Sequence, residues 1–457
     1  MSVIFPIIYF VIVLGILVFI HEFGHFLMAR LSGMRVDVFA LGMGYRILGW
    51  NKVNGFSFGK LPEDIELNGY CDYRLAVFPI GGYCKIAGMI DETFDSNFAE
   101  QPPEQWEFRA KNPFKKGITI IGGVLFNMLL AVILFAAVLY HNGENAYRTT
   151  TIGSVPENTI GSYIGLKSGD EVISINKKTP QHWTQMLEEL TVTNLGKDLN
   201  VIVRRDGKDT NLFVDGNENS SRIGANTPLG IEPADMHTLV LEVMSDGVAA
   251  QNGFKANDTI ISVNGQPIYS SGDLITKLKN HKNQAVSIVL HNSSGEETKH
   301  LQLSETGTIG VQISSVFAGE IETIHYNLFE SIGKGATQSL ETFATIVTSI
   351  KQIFIGNIAV KQAIGGPVMI AKQASNFAQF GFYSFISFIA MLSVSLAFIN
   401  ILPFPALDGG HLIIIIIEAF ARREIPVKVK LGIQQAGMVV LLALMAYVIF
   451  NDIQKII

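Results

Sequence analysis

The sequence predicts a polytopic α-helical membrane protein with four transmembrane helices and two small α+β domains inserted between the second and third. Three observations carry this expectation. Of 457 residues, 48% are hydrophobic and only 16% are charged, and the mean hydropathy is +0.32. That is too apolar for an ordinary soluble chain. Four apolar stretches approach or exceed the roughly 20 residues that cross a bilayer as a helix. Between the second and third stretches, a twelve-residue segment occurs twice, the mark of a duplicated module. A net charge of -6 and a pI near 6.0, with no basic patch interleaved with aromatics, exclude nucleic acid as a partner. The two cysteines, Cys71 and Cys84, form no CxxC pair, which excludes a zinc ribbon and argues against a disulfide framework.

The first span is expected over residues 1–31. Val3 to Ile20 contains no charged residue, lacks a basic leader and a small-x-small cleavage site, and is too long for the core of a signal peptide, so it reads as an uncleaved membrane helix. It closes on His21-Glu22-Phe23-Gly24-His25. On a helix, His21 and His25 share one face a turn apart, where two imidazoles can hold one zinc ion, and Glu22 stands beside them as a base for water. The bland alternative is a solvated helix face with two fortuitous histidines. It is weakened because ionisable residues at a membrane segment point to function.

A loop over 32–117 follows, with Arg30, Arg35, Arg109, Lys111, Lys115 and Lys116 near its ends, and then a second span over 118–141. Arg422, Arg423, Lys428 and Lys430 mark another basic loop, whereas residues 140–147 contain no lysine or arginine. The positive-inside rule places both basic loops in the cytoplasm and exports residues 141–384.

Within that exported segment, Gly165 to Asn176 aligns without gaps to Gly253 to Asn264, sharing Gly, Lys, Asp, Ile, Ser and Asn at matching places. Each copy runs from a glycine turn into an alternating strand and then a helical stretch, giving α+β domains over 148–223 and 224–316. Residues 317–384 are amphipathic: Ile346, Ile350 and Ile353 recur at helical spacing around Lys351. They are expected to lie on the outer membrane surface, a fifth span being the weaker reading.

The third span, 385–418, is longer than one crossing and is interrupted by Asn400, Pro403, Pro405, Gly409 and Gly410. Broken helix is tolerated at membrane depth only where it lines a cavity. Asp408 is the only acidic residue between Phe385 and Ile417, and a carboxylate there is costly unless a cation compensates it. A catalytic zinc site needs a third protein ligand, and Asp408 is the preferred candidate. His411, three residues on, is the rival, or else a hydrogen-bond partner behind the ligands. A hinge with a capping aspartate and no metal is the alternative. A fourth span over 431–450 completes the chain.

The repeats resemble PDZ domains of the tandem, circularly permuted kind found in bacterial envelope proteases, through the Gly-Leu-Lys-x-Gly-Asp stretch at 165–170 and the following Ile and Asn. Asn257 departs from the glycine of that pattern, which weakens a peptide-binding role for the second copy. Together, the HExxH at 21–25 and the NxxPxPxLDG pattern at 400–409 resemble the site-2 protease family of intramembrane zinc metalloproteases, in the branch of the bacterial regulator of sigma-E protease. The resemblance implies Zn2+ held by His21, His25 and Asp408, Glu22 as the catalytic carboxylate, and Asn400 holding the substrate. It also implies a membrane-reentrant β-hairpin near Gly42-Met43-Gly44, an edge strand within Tyr73 to Gly82, and a Gly122, Gly123, Asn127 pattern in the second span.

By that resemblance the substrates are transmembrane segments of membrane proteins, such as a trimmed single-span anti-sigma factor or signal-peptide remnants. The location implied is the bacterial inner membrane, with the PDZ pair periplasmic and membrane lipid as a partner. Two other classes compete. One is a membrane-anchored PDZ scaffold with an inactive metal site, which has no need of Glu22, Asp408 and Asn400 together. The other is a metal transporter, which has no need of Glu22.

Overall fold

In the computed structural model, the described residues are 4–62, 65–89, 102–191, 193–194, 197–216, 229–244, 247–292, 295–355 and 365–456. They form two compact units, one made of the chain up to Gly143 together with His325 onward, the other of Glu144–Ile324.

The first unit opens with α1 (Ile4–Leu31), whose apolar residues point in every direction, as suits lipid rather than a half-wet surface. It ends where Gly33 adopts the left-handed conformation at φ 72°, a common helix terminator. Two long strands follow, β1 (Val36–Asn51) and β3 (Asp72–Ile86), with short β2 (Gly55–Phe58) between them in sequence. Both long strands fold back on themselves, at Gly42 and Gly44 (each φ 87°) in β1 and at Gly81 (φ 90°) in β3.

As a result, residues 72–75 pair with β1 on both sides, opposite Val38–Leu41 and opposite Leu48–Trp50. Residues 82–86 pair with Val36–Leu41 alone. The edge strand expected within Tyr73 to Gly82 is therefore Gly82–Ile86 among the described residues, because the start of β3 is sandwiched. Buried Asp72 locks this interleaving: it accepts from Arg46 Nε at 3.2 Å and from Asn51 Nδ2 at 3.3 Å, and pairs with Arg74 Nε at 2.9 Å. The sheet packs Val36, Phe39 and Ile86 against Phe23 and Phe26 of α1. Helix α2 (Pro113–Asn142) starts with Asn112 accepting from Lys115 N at 2.8 Å and with proline in its first turn, a strong start signal.

The second unit contains β4 (Glu144–Tyr147), β5 (Ile152–Ser154), α3 (Ile160–Ile164), β6 (Glu171–Ile175), α4 (Trp183–Leu190), β7 (Leu199–Arg205), β8 (Lys208–Val214) and β9 (Glu232–Pro233). It continues with β10 (Met236–Val243), α5 (Val248–Gln251), β11 (Thr259–Val263), β12 (Gln266–Pro267), α6 (Ser271–Asn280), β13 (Ala285–Asn292), β14 (Gly295–Gln302), β15 (Val311–Phe317) and β16 (Ile321–Ile324). The sheets run β6-β7-β8 and β14-β13-β11-β10-β15, and each half has its own apolar core. The boundary expected between 223 and 224 falls within 217–228, outside the described residues.

The sequence repeat is a repeat of turn chemistry. Asp170 Oδ2 accepts from Lys167 N and Asp258 Oδ2 from Lys255 N, both at 2.8 Å. Asn176 Oδ1 accepts from Asn200 N at 2.8 Å and Asn264 Oδ1 from Ser287 N at 2.9 Å. Asn257 takes φ 72° where the first copy has Gly169 at φ 88°. Asparagine is the side chain that best tolerates that conformation.

The first unit resumes with α7 (Leu328–Ile355), α8 (Pro367–Gln379), α9 (Phe382–Ile401), α10 (Asp408–Ala421) and α11 (Val427–Ile456). Among the described residues, α1, α2, α9 and Val427–Asp452 of α11 are long and apolar enough to cross a membrane. The expected broken third span is thus one full-length helix, α9, followed by a separate 14-residue helix, α10. Leu402 is extended ahead of Pro403, and Ala406 is left-handed at φ 76°, so neither proline has to fit inside a helix.

The segment expected on the outer surface includes two helices of the first unit. Helix α7 packs along α2 and α9, with Phe343 and Ile346 against Phe135, Ala390 and Val394. A side chain at Gly335 would stand 2.8 Å from Val132 O, so the missing Cβ lets α7 lie flush. Residues 356–364 of that segment lie outside the described residues. Helix α8 packs on α1 through Ala374 and Ile370, and buried Asp452 of α11 caps its start, accepting from Gly366 N and Met369 N at 3.0 Å each.

Candidate metal centre

The centre is assembled by close approach of α1 and α2. A Cβ on Gly24 would stand 2.2 Å from Gly122 O, and one on Gly123 would stand 2.5 Å from His25 Nε2 and 2.6 Å from His21 Cε1. Only glycines let the backbones meet at this depth, which gives the glycine pair of the second span a geometric reason. His21, Glu22 and His25 are 9%, 9% and 8% exposed. Beyond the break after α9, Asp408 begins α10. Its neighbours Gly409 and Gly410 lie so near Leu402 O and Phe404 O that a Cβ on either would stand within 2.3 Å.

His21, His25 and Asp408 converge. The two Nε2 atoms are 3.3 Å apart, and each lies 3.3 Å from Asp408 Oδ2. The arrangement is a near-equilateral triangle of potential ligand atoms. Ligands about 2.05 Å from the centre of a tetrahedral zinc site stand about 3.3 Å from one another, so the triangle has the edge length the metal demands. Asp408 Oδ2 has no hydrogen-bond partner among the described residues.

The imidazoles are turned to present lone pairs to the same point. His25 Nδ1 donates to the Thr119 carbonyl at 2.9 Å, which turns Nε2 toward Asp408. Asn127 Nδ2 lies 3.2 Å from His21 Nδ1 while Asn127 Oδ1, fully buried, has no partner among the described residues. With the two ends of that amide exchanged, His21 Nδ1 is the donor to the amide oxygen. Three potential ligand atoms 3.3 Å apart in a buried site, one of them on a carboxylate, favour a cation at their centre. Metal-binding histidines are oriented in this way, by a second hydrogen bond from the far nitrogen. The donor set, spacing and orientation fit zinc.

Glu22 lines the same cavity, which measures about 60 Å³ and is also bounded by Cys84 and Ile86 of the edge strand and by His411 and Gln434. Room for a water takes only about 10–15 Å³. On the strand side, a Cβ at Gly82 would stand 3.2 Å from Glu22 Cγ, so the edge strand runs directly past the carboxylate. Asn400 Nδ2 is 3.4 Å from His21 Nε2. His411 does not join the triangle; its Nε2 accepts from Gln434 Nε2 at 2.7 Å.

Sequence reasoning missed the role of Gln434 and the carbonyl of Thr119. Gln434 carried a readable signal as a polar side chain within an apolar helix. The Thr119 carbonyl carried none, because backbone groups are blind to residue type.

Known proteins resemble the chain along nearly its whole length. The sequence pattern of peptidase family M50 matches residues 9–444. The chain is 26% identical to "Protease RseP" of Yersinia pestis and 25% identical to "Regulator of sigma-E protease RseP" of Salmonella typhimurium, covering 100% of both sequences in each case. It is 28% identical to a Vibrio cholerae protein named "Putative zinc metalloprotease", covering 98% of each.

Proposed function

The chain belongs to peptidase family M50, and from that premise we propose that His21, His25 and Asp408 hold its zinc, that Glu22 is its catalytic carboxylate, and that Asn400 helps hold the substrate. The protein is a membrane zinc metalloprotease of the site-2 type, and it acts on membrane-protein substrates. The single observation that carries the assignment of residues is the 3.3 Å triangle of two imidazole nitrogens and one carboxylate oxygen beside Glu22.

Zinc, when bound, supplies Lewis acidity that makes water acidic and a peptide carbonyl electrophilic. The chain's own residues do the rest. Glu22 takes the proton of the attacking water and later delivers it to the leaving amine. A peptide bond inside a transmembrane helix is shielded by its own hydrogen bonds, so the substrate has to be drawn out as a strand. The open edge at Gly82–Ile86 faces the cavity and offers backbone pairing for such a strand.

The expected domain plan is retained here as part of the reading. Residues 32–117 form a cytoplasmic loop carrying the sheet beside the site, and the second unit forms a periplasmic pair of PDZ-like domains in a bacterial inner membrane. A groove of about 270 Å³ between α6 and Ile309–Ile313, lined by Leu274, Ile275 and Leu278, lies beside edge strand β15 and suits either uptake of an extended peptide or a role in excluding bulky substrates. Trimmed single-span anti-sigma factors and signal-peptide remnants are the substrate classes the reading favours over a scaffold role.

The test is Glu22→Gln in purified full-length protein, measured for zinc content and for cleavage of a single-span reporter peptide. Retained zinc with cleavage reduced by at least about a thousandfold is the expected result. Unchanged cleavage would remove Glu22 from the reaction, and a wild-type protein that cuts no trimmed membrane reporter would overturn the protease reading.

A further inference from the structure

We propose that Gln434 is a substrate-positioning residue, whose side-chain oxygen accepts a backbone N–H of the extended substrate strand beside the metal centre. The inference rests on the protease reading above and adds a residue to it. Gln434 belongs to α11 and is only 6% exposed. Its Nε2 lies 2.7 Å from His411 Nε2 and donates to it in the His411 tautomer protonated at Nδ1, while its Oε1 is buried and has no hydrogen-bond partner among the described residues. Buried amide oxygens are rarely left in this state. This one borders the cavity that holds Glu22 and the three clustered ligand atoms, and also a second cavity of about 220 Å³.

The side chain is held firmly. Four residues before it, Lys430 pairs with Glu418 of α10 at 2.6 Å. Three residues after it, Gly437 meets the break so closely that a Cβ would stand 2.4 Å from Pro405 O. One face of α11 is therefore clamped to α10 and to the loop before it, and Gln434 lies in the middle of that face. With His411 protonated at Nδ1, that hydrogen bond fixes the amide plane and leaves the oxygen as the open group.

The cavity supplies the reason for an acceptor here. One wall is the edge strand, through Cys84 and Ile86; the opposite wall is α10 and α11, through His411, Gln434 and Met438. A peptide paired to the edge strand turns alternate N–H and C=O groups away from it. In a water-poor site those groups need partners. Asn400 offers a donor for a carbonyl near His21, and Gln434 offers the acceptor for an N–H. The two amides together serve both kinds of backbone group on the free side of the substrate strand.

The test pairs Gln434→Met with a set of synthetic single-span reporter peptides in which one backbone amide at a time near the cut is replaced by an ester, which removes a single N–H. With the wild-type protein, one ester position should lower kcat/KM about tenfold, the effect of losing one buried hydrogen bond. In Gln434→Met, kcat/KM for the all-amide peptide should fall about as far, zinc content should stay at the wild-type level, and the ester at that one position should have no further effect. A residue that only supports the fold would leave every ester penalty unchanged, and that result overturns the proposal. If Gln434→Met loses its zinc, Gln434→Glu keeps an acceptor oxygen in place and should retain the full ester penalty; disappearance of the penalty there also overturns the proposal. The all-amide peptide with wild-type protein separates the two claims: no cleavage rejects the protease reading itself, whereas cleavage with equal penalties in both proteins rejects only the role of Gln434.

Discussion

Gly123→Ala tests whether the approach of α1 to α2 builds the metal centre. The added methyl would stand 2.5 Å from His25 Nε2, and ordinary contact begins near 3.4 Å, so ring and helix must part by about 0.9 Å. Neither neighbour is a loose side-chain end, since the His25 ring is pinned by Thr119 O at 2.9 Å and the ring of His21 lies against Asn127 at 3.2 Å. Overpacking of this kind costs about 1–3 kcal/mol of stability, and a catalytic group misplaced by about 1 Å costs on the order of a hundredfold in rate. Ligand distances tolerate only about 0.2 Å. Zinc content should therefore fall together with reporter cleavage, while the melting temperature drops only modestly. Gly15→Ala in α1 is the control, because nothing lies within 4 Å of its added methyl, and it should behave as wild type. Wild-type zinc content and cleavage in Gly123→Ala would show that the histidines are not placed by this helix contact, and the geometry of the centre would have to be abandoned.

Two further outcomes follow from the sheet beside the site. Asp72→Ala leaves the buried guanidinium of Arg46 without its carboxylate and should cost about 3–5 kcal/mol, read as a lower melting temperature and as lost cleavage of the reporter. Burial pushes the Cys71 thiol up to about 12, so the folded protein should resist maleimide at this position at pH 8, reacting there only once unfolded; mass mapping of the labelled peptide checks this. The sign for stability follows from the same shift. Between the ordinary thiol value and about 12, the unfolded chain loses a proton that the folded chain keeps, so stability contributed by Cys71 declines as pH rises through that window.

The parts of the fold legible in sequence are those written in local chemistry. Four apolar runs announce four membrane-length helices, and HExxH places two imidazoles on one face whatever surrounds it. Asp408 was readable because a lone carboxylate in an apolar run needs a cation. The preference for Asp408 over His411 rests on charge alone in the sequence, since both fall near the same face of a short helix. In the structure the break at Leu402–Leu407 brings Asp408 to His21 and His25 and leaves His411 beside Gln434. Strand order was also hidden. Tyr73 looks like an edge residue in sequence, yet the left-handed glycines at 42, 44 and 81 double both strands back and move the open edge to Gly82–Ile86. Alternation reports which face of a strand is buried and says nothing about which strand is outermost.

The same geometry explains why the centre draws on separate parts of the chain. A carboxylate in an apolar surrounding is stable only with compensating charge, which a metal ion among the three ligand atoms or a proton on one imidazole can provide. His21 and His25 cannot turn away, because Thr119 and Asn127 of α2 hold their far nitrogens. Asp408 is equally confined, because Gly409 and Gly410 pack the start of α10 onto the break and Gly437 of α11 presses on Pro405 from the other side. The chain thus holds three ligand atoms around one point that favours a cation. Zinc bound there would join α1 to α10, so metal and fold would stabilise each other. Stripping the metal should therefore lower the melting temperature of the wild-type protein, and lower it much less in Asp408→Asn, where the charged ligand is already gone.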